Sequence, residues 1–89
     1  MQLALFHTEG SNCIKADIYS TAGYDVLLNL ICFKEIQQSI TVPSNLFEQG
    51  IAHVVFNFLS FSIEKYSINA IENNVTVTSE IQIIPCMEK

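Results

Sequence analysis

Between residues 46 and 82 the chain passes through three stretches of period-two alternation separated by short turn clusters, a pattern that commits it to β-structure. From Ile51 onward, Ala52, Val54, Phe56 and Phe58 share one parity against His53, Val55 and Asn57. A second strand over residues 63–70 sets Tyr66, Ile68 and Ala70 against Lys65, Ser67 and Asn69. In a third, over 75–84, Val77, Ile81 and Ile83 alternate with Thr76, Thr78, Glu80 and Gln82. Gly50 precedes the first of these strands, where a backbone conformation that a Cβ would hinder is expected. Asn73-Asn74 suits a tight hairpin, because Asn tolerates positive φ better than other residues that carry a Cβ. No cluster of acids, histidines or thiols interrupts the stretch, so the pattern names an architecture and not a reaction.

The upstream residues repeat the theme. A short apolar strand over 2–7 ends in the turn cluster 8–12, and the next strand turns Ile14, Ala16 and Ile18 inward and Cys13, Lys15, Asp17 and Tyr19 outward. Residues 25–34 hold the apolar block Val26-Leu27-Leu28 and Leu30-Ile31-Cys32-Phe33, which periodicity alone does not separate from a buried helix. Gly23 before it and β-rich neighbours on both sides favour a central strand. Over 35–42, Ile36, Ile40 and Val42 are expected to share the inner face, with Gln38 the exception at that parity, until Pro43 ends the ladder. The connection 43–50 is the longest, and its Leu46 and Phe47 are expected to plug the edge of the core. The reading is an all-β, immunoglobulin-like antiparallel β-sandwich of about seven strands, one domain over residues 1–86 with a tail at 87–89.

Composition sets the limits on function. With 89 residues, 49% of them apolar, the chain can build one thin core, and a domain of this size buries roughly 60% or a little more of its unfolded surface. Nine acids face four lysines and no arginine, giving a formal charge of −5, and Lys15, Lys34, Lys65 and Lys89 are scattered singly. Phosphate backbones are bound by clustered Lys and Arg, so nucleic acid is not an expected partner. No apolar run approaches the ~18 residues of a transmembrane helix, so no membrane insertion by this segment is expected.

Candidates for chemistry are few. Cys13, Cys32 and Cys86 lack CxxC spacing and read as reduced, partly buried thiols, with one disulfide as the alternative. His7 and His53 read as strand-surface imidazoles; Cys13 with His7, or Cys32 with His53, would form a nucleophilic pair only if the fold joined them. Glu64, Glu72 and Glu80 recur at the strand repeat and read as solvated charges. Asp17 and Asp25 flank a turn that lacks the oxygen density of a calcium loop. Asn74-Val75-Thr76 matches the glycosylation acceptor pattern, yet the turn accounts for Asn74. The expectation is therefore no catalytic residue, no metal ligand and no cofactor. Val55, Leu59 and Phe61 are expected on an outer face, where they await a packing partner or follow the curvature of the core.

One set of residues resembles a known family. Gly50-Ile51 entering an apolar strand, Glu64-Lys65-Tyr66 opening the next, Asn73-Asn74 in the turn and Val75-Thr76-Val77 beyond it resemble the macroglobulin-like domains of the α2-macroglobulin superfamily, above all those of Bacteroidetes cell-envelope proteins. Lys65 stands where such domains commonly carry Arg, and Leu59-Ser60-Phe61-Ser62 where a Gly-containing turn is common. The resemblance implies a non-enzymatic structural and protein-interaction module, one domain of a larger cell-envelope protein, whose partners are neighbouring domains or copies of itself. A carbohydrate-binding or adhesive sandwich, with Tyr19, Tyr24 or Tyr66 stacking on a sugar, is the second expectation. A small free-standing intracellular protein is the third, tied to Met1 being the native start; an extracytoplasmic location goes with the first.

Overall fold

The structure, a computed structural model, describes residues 1–58 and 62–85. It is an all-β sandwich of seven antiparallel strands: β1 (Gln2–Phe6), β2 (Cys13–Tyr19), β3 (Val26–Cys32), β4 (Glu35–Val42), β5 (Ile51–Asn57), β6 (Glu64–Glu72) and β7 (Val75–Ile83). A single turn of 3-10 helix, Ser44–Leu46, follows Pro43 in the β4–β5 connection. Among the described residues no helix is long and apolar enough to cross a membrane.

Three strands in the order β1-β2-β5 form one sheet, and four in the order β4-β3-β6-β7 form the other. In the seven-strand constant-type immunoglobulin sandwich the fourth strand joins the first sheet; here β4 stays beside β3. A direct hairpin causes this, because Cys32 pairs with Glu35 across Phe33 and Lys34 and leaves no chain with which to change sheets. β3 is thereby a central strand, as its apolar run implied.

The core lies between the sheets and is built from the inward parities. Ile14, Ala16 and Ile18 of β2, Val26, Leu28 and Leu30 of β3, Phe56 of β5 and Ile68 and Ala70 of β6 have no solvent exposure. Phe56 is the bulkiest of them, while Ala16, Ala52 and Ala70 leave room for the larger side chains opposite. Phe58 closes one end against Tyr66, with ring centroids 5.0 Å apart. The outer face of the four-stranded sheet is crossed by a polar row, Ser39-Asn29-Asn69-Thr78, in paired register. Within it Ser39 donates to Asn29 Oδ1 at 2.7 Å and Thr78 to Asn69 Oδ1 at 2.9 Å.

The sheets are also clasped at their margin. His7 Nδ1–H donates to the Cys13 carbonyl at 3.0 Å, and Nε2 accepts the N–H of Ile84 at 2.9 Å, roles that follow from what each partner can offer. One imidazole thus ties the end of β1 to the end of β7 across the sandwich.

Three expectations change. Ile36 is 61% exposed, because the register shifts between Leu30 and Ile31: Leu30 faces Gln38, but Ile31 faces Ile36. Gln37 is the extra residue of a β-bulge, and it carries Ile36 to the outer face. Leu46 does not plug the core, being 59% exposed, whereas Phe47 does pack on it. Phe33 leaves the apolar block and occupies a turn. Gly50 behaves as expected: it has φ 82, and a Cβ there would stand 3.2 Å from Thr21 Cγ2. Asn73 takes φ 55 in the β6–β7 turn.

Truncating Phe56 leaves a hole at the centre that neither sheet can close without moving the other. Phe56→Ala is expected to cost about 3–5 kcal/mol. Urea denaturation followed by far-UV circular dichroism measures it.

Candidate interaction surface

The sandwich is elongated, with a long extent of 46 Å, and its loops gather at two ends. The β2–β3 loop, the β4–β5 connection and the β6–β7 turn meet at one end, joined by the Ser20–Glu72 and Ser44–Asp25 hydrogen bonds. The β3–β4 turn, the β1–β2 loop and the close of β7 lie at the other, where Gly10 N–H bonds to the Ile84 carbonyl at 2.7 Å.

The β3–β4 end carries the most exposed large apolar side chain among the described residues, Phe33, at 78%. Its backbone explains the exposure. Phe33 has φ 53 and Lys34 φ 63, so a hairpin of two turn residues runs through the left-handed region at both, a path that Asn-Gly or Asp-Gly takes far more readily. For a residue with a Cβ that region costs about 1–2 kcal/mol. Two residues further on, the bulge places Ile36 outside, and Gln37 braces the distortion by donating from Nε2 to the Cys32 and Glu35 carbonyls, both at 3.3 Å. Ile63, 50% exposed, lies at the same end just before β6. The tip therefore combines backbone strain with apolar side chains in water, where neither stabilises the core.

Of the residues marked from sequence, Val55 is outward and 51% exposed. It stands in the cross-strand row Phe6-Lys15-Val55, where the Lys15 ammonium lies 5.9 Å from the Phe6 ring centroid. Leu59 and Phe61 lie outside the described residues, as does Cys86. The structure does not bring Val55 to the Phe33 tip; the two occupy different sheets. Beside Val55, Asp17 and His53 are direct cross-strand partners, with His53 Nδ1 2.7 Å from Asp17 Oδ1. Asp17 is consequently only 7% exposed, not a wet residue of an outer face.

The free edges of β4 and β5 border a cleft of about 880 Å³ lined by Ile40, Val42, Leu46, Ile51 and Val54. An edge strand beside an apolar cleft invites an added strand, but this edge is stopped at both ends. Glu48 bonds both backbone groups of Ile51, at 2.9 and 3.0 Å, and Gln38 Nε2 donates to the Asn57 carbonyl. The ladder to β2 uses the even residues of β5, so the remaining outward groups belong to His53 and Val55, too short a window for a stable strand pairing.

The thiol and imidazole candidates do not meet as pairs. His7 uses both ring nitrogens on backbone groups, and the Cys13 thiol donates to Ser11 Oγ at 3.8 Å. Cys32 faces the core from β3, whereas His53 lies on the outer face of the other sheet. Both described cysteines are free. Asp17 and Asp25 are parted likewise, since Asp25 Oδ1 accepts the Ser44 N–H at 2.8 Å. Tyr66 is 6% exposed, which removes it from the sugar-stacking candidates, while Tyr19 and Tyr24 keep 38% and 51%. Glu72 is buried at 6%, contrary to its reading as a solvated charge; Glu80 is exposed and 4.0 Å from Lys65, a pair that contributes little. No family model matches the chain, and no curated protein matches it.

Replacing the two turn residues relieves the strain of the left-handed backbone. Phe33→Asn with Lys34→Gly is expected to raise stability by about 1 kcal/mol, or about 4–8 °C in Tm, readable by scanning calorimetry. A second expectation concerns Cys32, whose thiol is pushed above its usual value of 9.0 first by burial and then by the Glu64 carboxylate, with hydrogen bonds from Tyr66 and the Phe33 backbone opposing. The folded state then holds the thiol proton more tightly than the unfolded chain does. Stability is accordingly retained below about pH 9 and lost as pH climbs through the raised folded value. Urea midpoints of the wild type and Cys32→Ala, compared between pH 7 and 10.5, should converge or cross with rising pH.

Proposed function

We propose that the protein is a non-enzymatic structural and protein-interaction module that packs its β3–β4 end against a neighbouring protein domain, in the setting of a larger cell-envelope protein. The observation that carries this reading is Phe33, held 78% exposed by a turn that costs folding energy. Strain that stabilises nothing inside the domain is intelligible when a partner covers the residue it displays. The polar row of Asn29 and Asn69 supports the choice of surface, since it leaves the broad face of the larger sheet suited to water.

The course of the chain supports an arrangement in series. β1 begins beside Tyr19 and Gly50 at one end, and β7 finishes beside Gly10 and His7 at the other. In a row of modules the Phe33 tip would therefore face the domain connected through β7. An immunoglobulin-like sandwich akin to the macroglobulin-like domains fits this use, with no step of chemistry assigned to any residue.

Site-specific photo-crosslinking in the cells that produce the protein tests the proposal. A crosslinker at position 33 is expected to trap a defined protein adduct, either a neighbouring domain or a second copy, and one at Thr76 on the polar face is not. Equal yields at the two positions would dispose of the reading.

A further inference from the structure

At the opposite end from Phe33 lies a hollow of about 410 Å³, within the size range of small-molecule sites, lined in part by Ser20, Thr21, Tyr24, Ser44, Phe47 and Glu72. Glu72 is its unusual member. Only 6% of the residue is exposed, and the donor that reaches its carboxylate is the Ser20 hydroxyl, on Oε2. Ser20 is itself held in place, because its Oγ accepts the Ala22 N–H at 3.3 Å. A carboxylate in the wall of a hollow is a place for a cationic counter-ion, which the neutral Ser20 hydroxyl does not supply. The described lysines offer no remedy: Lys15 stands on the outer face of β2, and Lys34 and Lys65 belong to the β3–β4 end. Asp25, tied to the Ser44 N–H, adds a second negative charge near the rim.

We propose that this hollow binds an alkylammonium group, with Glu72 as counter-ion and Tyr24 as the aromatic wall against its cation and stem. The chemistry selects among cations. A guanidinium binds carboxylates best through both oxygens, and here Ser20 already occupies one. An ammonium is a compact charge with three donors; one can go to the free oxygen of Glu72 and others to hydroxyls such as those of Thr21 and Ser44, which line the same hollow. Tyr24, 51% exposed, and Phe47, half-buried, supply apolar surface for the methylene stem. The group is carried either on a lysine side chain of another protein or on a free diamine, and the same contacts serve both.

Amide chemical shifts of the whole 15N-labelled chain test this, with Nα-acetyl-lysine methylamide, cadaverine, 1-pentanol and methyl glucoside as probes. The two ammonium probes are expected to shift Thr21, Gly23 and Gly50 in a saturable manner, weakening as salt is added. Tighter binding of the lysine derivative identifies a protein side chain as the source, and tighter binding of cadaverine a free diamine. Glu72→Gln, which keeps an acceptor for Ser20, is expected to weaken both about tenfold or more, and Tyr24→Ala about threefold. Because Tyr24 is largely exposed, the second variant remains informative if the first fails to fold. Equal shifts with 1-pentanol, shifts with methyl glucoside in place of the amines, or affinities unchanged in both variants would overturn the proposal.

Discussion

β3 is hydrogen-bonded on both edges, and its inner residues Val26, Leu28 and Leu30 have no exposure, so its register determines which side of the larger sheet is the core. A slip of one residue would turn Leu27, Asn29 and Ile31 inward and send the three buried side chains into water. Each such side chain is worth about 1.5–3 kcal/mol, comparable in sum to the whole stability of a domain this small. Asn29 adds a penalty of the opposite kind. On the outer face its amide has Ser39; slipped inward, it would lose that partner among aliphatic side chains. The polar row thus works as a lock on register as well as a wettable surface.

The bulge at Gln37 follows from the same constraint. β4 must keep Val42 buried against β3 and also close a hairpin directly onto Cys32, and one residue too many stands between those two demands. Expelling Gln37 satisfies both, at the cost of turning Ile36 outward. The parity argument held wherever a strand ran without such an insertion, as in β2, β5, β6 and β7, because period-two burial is written directly in the residues. It failed at Ile36 because a bulge depends on the length of a hairpin and leaves no composition signal. Phe33 misled for a related reason: a tight turn is normally marked by Asn or Gly, and this one carries neither.

Asp17 was illegible for a different reason: it is buried by a partner far along the chain, His53, and strand pairing decides that meeting. Glu72 instead continues the inward parity of Tyr66, Ile68 and Ala70, and only its partner Ser20 was hidden from the sequence. Spacing in sequence predicts helix neighbours and hairpin neighbours, but not which acid meets which donor across a sheet. The same distance effect disposed of the thiol–imidazole pairings. His7 lies close to Cys13, yet the structure spends its two nitrogens on carbonyl and amide groups that hold β1 and β7 together.

Two features of the domain are not demanded by its core, and they lie at opposite ends. The turn through Phe33 and Lys34 holds two Cβ-bearing residues in the left-handed region, and Glu72, met by the Ser20 hydroxyl, sets a carboxylate in the wall of the hollow. The turn costs about 1–2 kcal/mol per residue, a sizeable fraction of the roughly 5–15 kcal/mol that keeps a domain folded. The core does not require either one, since Asn-Gly would close the same hairpin and a neutral amide would still meet Ser20. A core centred on Phe56 and sealed by the His7 clasp can carry such costs without unfolding. Sites that weaken a structure while leaving its interior unimproved are where contact with something outside the chain has the most free energy to recover. On that ground the contacts proposed for this sandwich are placed at its two ends, with its broad faces between them.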